Sequence, residues 1–402
     1  MHSRRCFIYL STACCVAAFG CRAPTPEPVS PAAAGPSDTT PAGVAPIDEN
    51  LPRPDVIATS APLPGFMRGL NLGNGLDAPS EGEWGRRLTE KDFQMAAAAG
   101  FDHVRLPVRF TTLERSDPKA PYTIKPEFFA RVDWALDEAR KNRLSIILDL
   151  HHFEEIHKDP RANQERLYAL WRQIAPRYQG RPPEVAFEIL NEPNGKLEPA
   201  ILNEMTRDVL KIIRETNPTR LVFANSYFWA NAERLDELEL PADDANVVAE
   251  FHMYQPILFT HQGAPWMEPW YQTTGIVFPG PPSEPVTPVP AAAQEGWVKA
   301  WLDGYNSAPA ATNPGGPRTV FEHFDHAARY VKKTGKRAYL GEFGAIDYAD
   351  AQSRENYTWL VRTESERRGM GWAYWDDGGK FKAMDAPNGT WNEGLLRALI
   401  DR

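Results

Sequence analysis

Two rhythms divide the chain from residue 66 onward. Short apolar runs recur at FMRGLNLG (66–73), HVRLPV (103–108), SIILDLHH (145–152), VAFEILNE (185–192), RLVFANS (220–226), NVVAEFHMY (246–254), AYLGEFGA (338–345) and GWAYWDD (371–377), and each predicts a β-strand. Between them apolar residues return every three or four positions, as in TEKDFQMAAAAG, PEFFARVDWALDEARKN, QERLYALWRQIAPRY and ILNEMTRDVLKIIRETN, which predicts helices packed by one face. A last helical pattern closes the chain at NEGLLRALI. Eight strands separated by helical or connecting segments count out an α/β fold of the (β/α)8 TIM barrel type. A doubly wound open sheet is the alternative, but it does not call for eight strands that each end in polar residues.

The first 64 residues follow neither rhythm. MHSRRCFIYLSTACCVAAFGC begins with Arg4 and Arg5, runs through an uncharged stretch too short to span a bilayer comfortably, and ends in small residues before Cys21. This predicts an export signal over 1–20. The segment AAFGC resembles a bacterial lipoprotein signal, which implies lipidation of Cys21; plain cleavage near Gly20 is the alternative. Residues 22–64 hold eleven prolines among Ala, Thr, Ser and Gly. That composition predicts a disordered tether over 21–64, at most roughly 130 Å long at ~3.1 Å per residue. The expected location is an outer-membrane or cell-surface lipoprotein, otherwise the periplasm or the medium, with no membrane contact beyond the lipid.

Composition narrows the partners. Of 402 residues, 42% are hydrophobic and 24% charged, with a formal net charge of −9, which is enough apolar material for one large core or two modest ones while nucleic acid and anionic membrane are poor partners. All four cysteines precede residue 22, leaving the domain expected over 65–402 without a disulfide or a thiolate metal site. We expect a monomer that uses no metal and no organic cofactor.

In a (β/α)8 barrel the loops after the strands enclose the working pocket. The ends of the predicted strands supply Asn74, Asp77, Arg105, His151, His152, Asn191, Glu192, His252, Tyr254, Glu342, Trp375 and Asp376, polar or aromatic at nearly every position. Each has a plainer reading: Arg105 as a structural ion pair, Trp375 as core, Glu188 as barrel wall roughly 13 Å below Glu192. His151 and His152 do not read as a joint metal site, because neighbours in an extended chain point to opposite faces. Glu192 and Glu342 stand out because they close the fourth and seventh strands and so face each other across the mouth. Paired carboxylates in unlike environments serve glycoside hydrolysis, one as acid and one as nucleophile. Arg105 and Tyr254 are placed to hold the carboxylate of Glu342 ionised. Asn191 and Glu192 both reach the pocket only if the strand alternation breaks there.

NEP (191–193), LHH (150–152), HVRLP (103–107), FHMY (251–254), GEFG (341–344) and YW (374–375) together resemble the retaining cellulases of glycoside hydrolase family five, over most of residues 66–401. The resemblance implies endo-acting hydrolysis of β-1,4-glucan, with Glu192 as acid/base and Glu342 as nucleophile. Arg105, His151, Asn191, His252, Tyr254 and Trp375 would complete the site. NLGNGLDAP and FTHQGAPW resemble the family's sugar-binding segments, which implies roles for Asn74, Asp77, His261 and Trp266. Asp77 and Asp376 stand where related cellulases often carry Glu. A proline-rich insertion at about 266–318 carries Trp266, Trp270, Tyr271, Phe278, Trp297 and Trp301, which either line a groove or pack the loop onto the barrel. A β-mannanase or mixed-linkage β-glucanase on the same scaffold is the nearest alternative, and a non-catalytic sugar-binding lipoprotein the alternative of another class.

Overall fold

Strands that are buried on both faces suit a parallel sheet covered by helices. In the computed structural model, which describes residues 44–400, those strands close into a barrel of eight. They are β1 (Arg68–Asn71), β2 (His103–Val108), β3 (Ser145–Leu150), β4 (Val185–Glu188), β5 (Val222–Asn225), β6 (Val247–Met253), β7 (Ala338–Phe343) and β8 (Gly371–Tyr374). Each pairs in parallel with its neighbours, and β8 returns to β1 through Leu70↔Tyr374. The helices α1 (Glu90–Ala99), α2 (Pro126–Lys141), α3 (Pro160–Arg177) and α4 (Pro199–Thr216) follow the first four strands. Between β5 and β6 only short turns Tyr227–Ala230 and Ala232–Glu237 intervene. α5 (Gly296–Ser307) lies in the insertion, and α6 (Pro317–Thr334), α7 (Ala351–Arg367) and α8 (Glu393–Leu399) complete the ring.

The strand ladders are shorter than the apolar runs predict. β4 stops at Glu188 rather than Glu192, β3 at Leu150 and β8 at Tyr374, so the polar residues sit on the loops just beyond. Single backbone bonds persist past those ends, Ile189 N to Phe223 O at 3.1 Å and Asn191 N to Leu150 O at 3.0 Å, until Glu192 takes a left-handed φ and Pro193 offers no donor.

The barrel interior is layered by the two-residue period of its strands. Ile147, Ala186, Phe223 and Val248 point inward with Leu63, Phe66 and Tyr339, forming an apolar plug at the base. Two positions farther along the same strands stand Asp149, Glu188, Asn225 and Glu250, none more than 3% exposed. A larger apolar layer between strands and helices surrounds both.

The predicted export signal and Cys21 lie outside the described residues, as does the first part of the predicted tether. From residue 44 on, the expectation of a disordered linker is corrected. Asn356 of α7 donates to Ala45 O at 2.9 Å and accepts from Ile47 N at 2.9 Å. Farther down the same helix Arg53 pairs with Glu364 at 3.1 Å, and Ser60 N donates to Arg368 O at 2.7 Å. Ser60 Oγ also accepts from the first residue of β7, Ala338 N, at 3.1 Å. Gly369 permits this closeness: its φ is +67°, and a Cβ there would overlap Ser60 O. Proline-rich composition signalled a lack of internal core, yet Ile47 and Leu51 find one on α7.

The insertion is likewise ordered. Tyr305 of α5 is buried and its hydroxyl accepts from Val277 N at 2.8 Å, while Phe278 N donates to Ser353 Oγ at 2.8 Å. Removing residues 1–58 should lower Tm by at least about 2 °C relative to removal of 1–43 alone, because the former strips the strap from α7. Equal melting of the two truncations would show that the strap adds no stability.

Candidate active site

One guanidinium organises the floor of the mouth. Arg105, fully buried on β2, spends every N–H it has: Nε and Nη2 grip Glu188 at 2.7 Å each, Nη1 reaches Asn71 at 2.9 Å and Glu342 at 2.7 Å, and Nη2 also reaches Asn191 at 2.6 Å. Asp149 lies 3.1 Å away as a further ion partner. Glu188 is therefore no mere wall residue; it fixes the arginine that touches Glu342. Tyr254 donates its hydroxyl to Glu342 Oε2 at 3.0 Å, so the carboxylate is held from two sides. Burial raises the Glu342 carboxyl above its ordinary value, while His252 and Arg105 oppose that rise.

Glu192 has a different setting. Its φ of +46° breaks the strand alternation, which lets Asn191 and Glu192 both face the mouth, and its backbone N donates to Asn225 Oδ1 at 3.1 Å. His252 Nδ1 lies 2.9 Å from Glu192 Oε1 and 3.6 Å from Glu342 Oε2. The Glu192 side chain is 27% exposed against 6% for Glu342, so the two carboxylates occupy unlike surroundings. One oxygen of each lies within 4.8 Å of the other, with a His252 nitrogen in the same radius.

A second cluster forms beside β1 and β3. The expectation that His151 and His152 diverge fails, because His152 has left the strand with φ +48° and the two rings meet edge to face, centroids 4.5 Å apart. Donor atoms of Asp77, His151 and His152 lie within 4.8 Å of one another, a set that geometry alone would allow to hold a cation. His151 Nδ1 is committed to Asp149, and burial pushes its imidazole well below the ordinary value, so the ring is neutral. Asp77 Oδ2 accepts from Asn74 N at 3.0 Å, whereas the buried Oδ1 has no protein partner among the described residues. Trp375 is half-buried and stacks parallel to His151, centroids 5.8 Å apart, leaving an indole in the pocket wall.

Two predicted residues land differently. Asp376 is fully buried and saturated: Oδ1 accepts from Arg86 at 2.9 Å and from Gly378 N, and Oδ2 accepts from Ala383 N and Met384 N at 2.7 Å each. No lone pair remains for a sugar, so the substrate-binding expectation for Asp376 is corrected to a loop anchor. His261 packs behind Tyr254, centroids 4.9 Å apart, and burial lowers it to about 4, so it is a neutral wall. Trp266 is 56% exposed near Phe381, as a surface platform requires.

Sequence reading placed Glu188 in the barrel wall but missed Asp149, Glu250 and the acidic floor that the three form. The available signal was a single polar residue two places after an apolar one in otherwise apolar strands. It also missed Phe228 and Trp229, exposed beside the Glu192 loop, where Trp229 N donates to Pro193 O at 3.2 Å.

The sequence pattern of the Cellulase family (glycosyl hydrolase family 5) matches residues 65–380. Endoglucanase H of Acetivibrio thermocellus is 31% identical over 324 residues, covering 81% of this chain and 31% of that protein, so the chain spans about a third of its length. Endoglucanase C of the same organism is 30% identical over 346 residues, 80% of this chain and 92% of that protein. The structure of Thermotoga maritima Cel5A in complex with a mannotriose substrate matches with a TM-score of 0.71 at 34% identity, covering 83% of this chain and 97% of that chain.

Removing the central cation should be costly. Arg105→Met leaves Glu188, Asp149 and Glu342 buried without a counter-charge and should destabilise the fold by about 3–5 kcal/mol in urea titration. Their carboxyl groups would then titrate above their unfolded values, so the deficit should shrink as pH falls and grow as it rises. A deficit independent of pH would contradict this account of Arg105.

Proposed function

Because the chain belongs to glycosyl hydrolase family 5, we propose that it is a retaining endo-β-1,4-glucanase in which Glu342 is the nucleophile and Glu192 the acid/base. The observation that carries this reading is the carboxylate approach within 4.8 Å in unlike surroundings. Retaining enzymes hold the pair ~5 Å apart, whereas inverting ones need roughly 6.5–9.5 Å to admit water between them. Glu342, gripped by Arg105 and Tyr254, is oriented to attack the anomeric carbon. Glu192, more open to solvent, first protonates the leaving oxygen and then takes a proton from the water that releases the sugar. Asn191 is held by Arg105 beside the reacting centre, Trp375 offers an indole face to a pyranose, and Asp77, His151 and His152 offer polar groups to its hydroxyls.

An endo-acting site needs an open cleft with purchase on both sides. The exposed large apolar side chains among the described residues are Trp84, Leu113, Phe228, Trp229, Trp266, Trp297 and Tyr348; six lie in the connections that directly follow strands, and Trp297 stands on α5 of the insertion after β6. The insertion's aromatics divide accordingly: Phe278 and Tyr305 pack inward, while Trp266 and Trp297 face solvent. We extend the reading to an exported enzyme anchored through Cys21. The mannotriose complex of the Thermotoga relative favours mannan as a second substrate to test.

Hydrolysis of carboxymethylcellulose and barley β-glucan above that of mannan is the expected ranking; preference for mannan would transfer the assignment to mannanase. On an activated aryl glycoside with azide, Glu192→Ala should give the β-glycosyl azide through two inversions, and Glu342→Ala the α product through one. Swapped anomers would exchange the two roles.

The pH profile offers a further check. Glu342 must be ionised to attack, and its carboxyl lies above the ordinary 4.5, so activity should fall with pH through an acidic limb above that value. An acidic limb at or below 4.5 would contradict a buried nucleophile.

A further inference from the structure

Glu250 has no task in the scheme above, yet it is the least comfortable group in the barrel. It stands on β6, fully buried, and neither carboxylate oxygen has a hydrogen-bond partner among the described residues. The groups facing it are Arg105 from β2, Asp149 from β3, Glu188 from β4, His252 on its own strand, and Tyr339 from β7. Arg105 Nε comes within 3.6 Å but is already bonded to Glu188. A buried carboxylate with no donor is costly as an anion.

Its nearest unsatisfied counterpart is His252 Nε2, also buried without a hydrogen-bond partner and 3.8 Å from Glu250 Oε1. The backbone clears the space between them. β6 and β7 slip register between Phe251 and His252, and Gly341 stands opposite; a Cβ there would overlap Glu250 Oε1 and crowd His252 Nε2 at 3.0 Å. The glycine of GEFG is thus required by this pair.

Taking Glu192 and Glu342 as the catalytic pair, we propose that Glu250 is a positioning residue that shares one proton with His252 when Oε1 and Nε2 close from the 3.8 Å of this structure to hydrogen-bond distance. A neutral imidazole carries a single N–H, on either nitrogen, and only Nδ1–H can donate toward Glu192 and Glu342. With the shared proton on His252, the ring is an imidazolium facing the Glu250 carboxylate. With the proton on Glu250, the carboxylic acid donates to Nε2 and the remaining ring proton stays on Nδ1. Nδ1 is a donor in both states, so the bond to Glu192 survives as that residue alternates between acid and base. The charges agree with this pairing. Burial and Glu188 push the Glu250 carboxyl up to about 7; burial would lower His252, but Glu342, Glu192 and Glu250 lift it to about 10.

The test is ¹⁵N spectroscopy of histidine-labelled protein, with the His252 signal identified by its loss in a His252→Gln variant. Glu250→Gln keeps the shape but cannot carry the charge, and the His252 midpoint should fall by about one to three pH units. Glu250→Asp, which retains a carboxylate, should restore part of the shift, and kcat should follow the midpoint across the three proteins while KM holds. An unchanged midpoint in Glu250→Gln, or a shifted midpoint with an unaltered pH–kcat profile, would overturn the proposal. The spectra need no substrate. A protein that showed the shift but cleaved no β-glucan would defeat the glucanase reading and leave the Glu250–His252 pairing intact.

Discussion

The floor of the mouth depends on a charge imbalance held together by Arg105. One guanidinium meets Asp149, Glu188 and Glu342 within 3.1 Å, and all four side chains are buried, the most exposed at 6%. Such an arrangement is rarely the cheapest way to fill a barrel, since apolar side chains of equal volume would pack without desolvating charges. What it supplies is direction. The planar fork of the arginine locks Glu188 on one side and presents Nη1 to Glu342 on the other, so the position of Glu342 is tied to that of β2. The apolar plug of Phe66, Ile147, Phe223 and Val248 beneath it gives that fork a rigid base.

Two neighbouring carboxylates acquire different characters from their addresses. Glu342 ends a regular strand and inherits the barrel's rigidity and burial. Glu192 sits on a turn with left-handed backbone, partly open to solvent, and its carboxylate meets His252. A strained φ at a non-glycine residue is tolerated where surrounding contacts over-determine it; here these include the bond from Glu192 N to Asn225 and that from Trp229 N to Pro193 O.

Much of this was readable from the sequence because a barrel repeats. Eight apolar runs, each followed by polar residues, locate a mouth without any contact being known, and Glu192 and Glu342 follow from strand count alone. The reading failed where side-chain direction leaves the two-residue rule. His152 turns toward His151 only because its backbone is left-handed, which no periodicity encodes. Asp376 seemed a pocket residue by position, but four donors from its own loop and from Arg86 claim it first. Glu250 was hidden by its neighbours: in VVAEFHMY a lone Glu resembles an outward-facing interruption until the closed barrel turns it inward. The strap at 44–64 was misjudged for a related reason, since composition reports whether a segment can fold alone and not whether α7 offers it a surface.

The confinement of exposed aromatic side chains to one pole makes the molecule polar in the sense of a particle with a sticky end. Trp84, Trp229 and Trp266 occupy connections that follow strand ends, and Trp297 stands on α5 in the insertion that follows β6. The loops that return from helices to strands expose no large apolar side chain among the described residues. An extended sheet of stacked sugar rings therefore meets indole only when the barrel approaches mouth first, and a collision on the base has nothing comparable to hold it. Adsorption and alignment become the same event, and a molecule retained on such a surface already has its cleft turned toward the chains beneath.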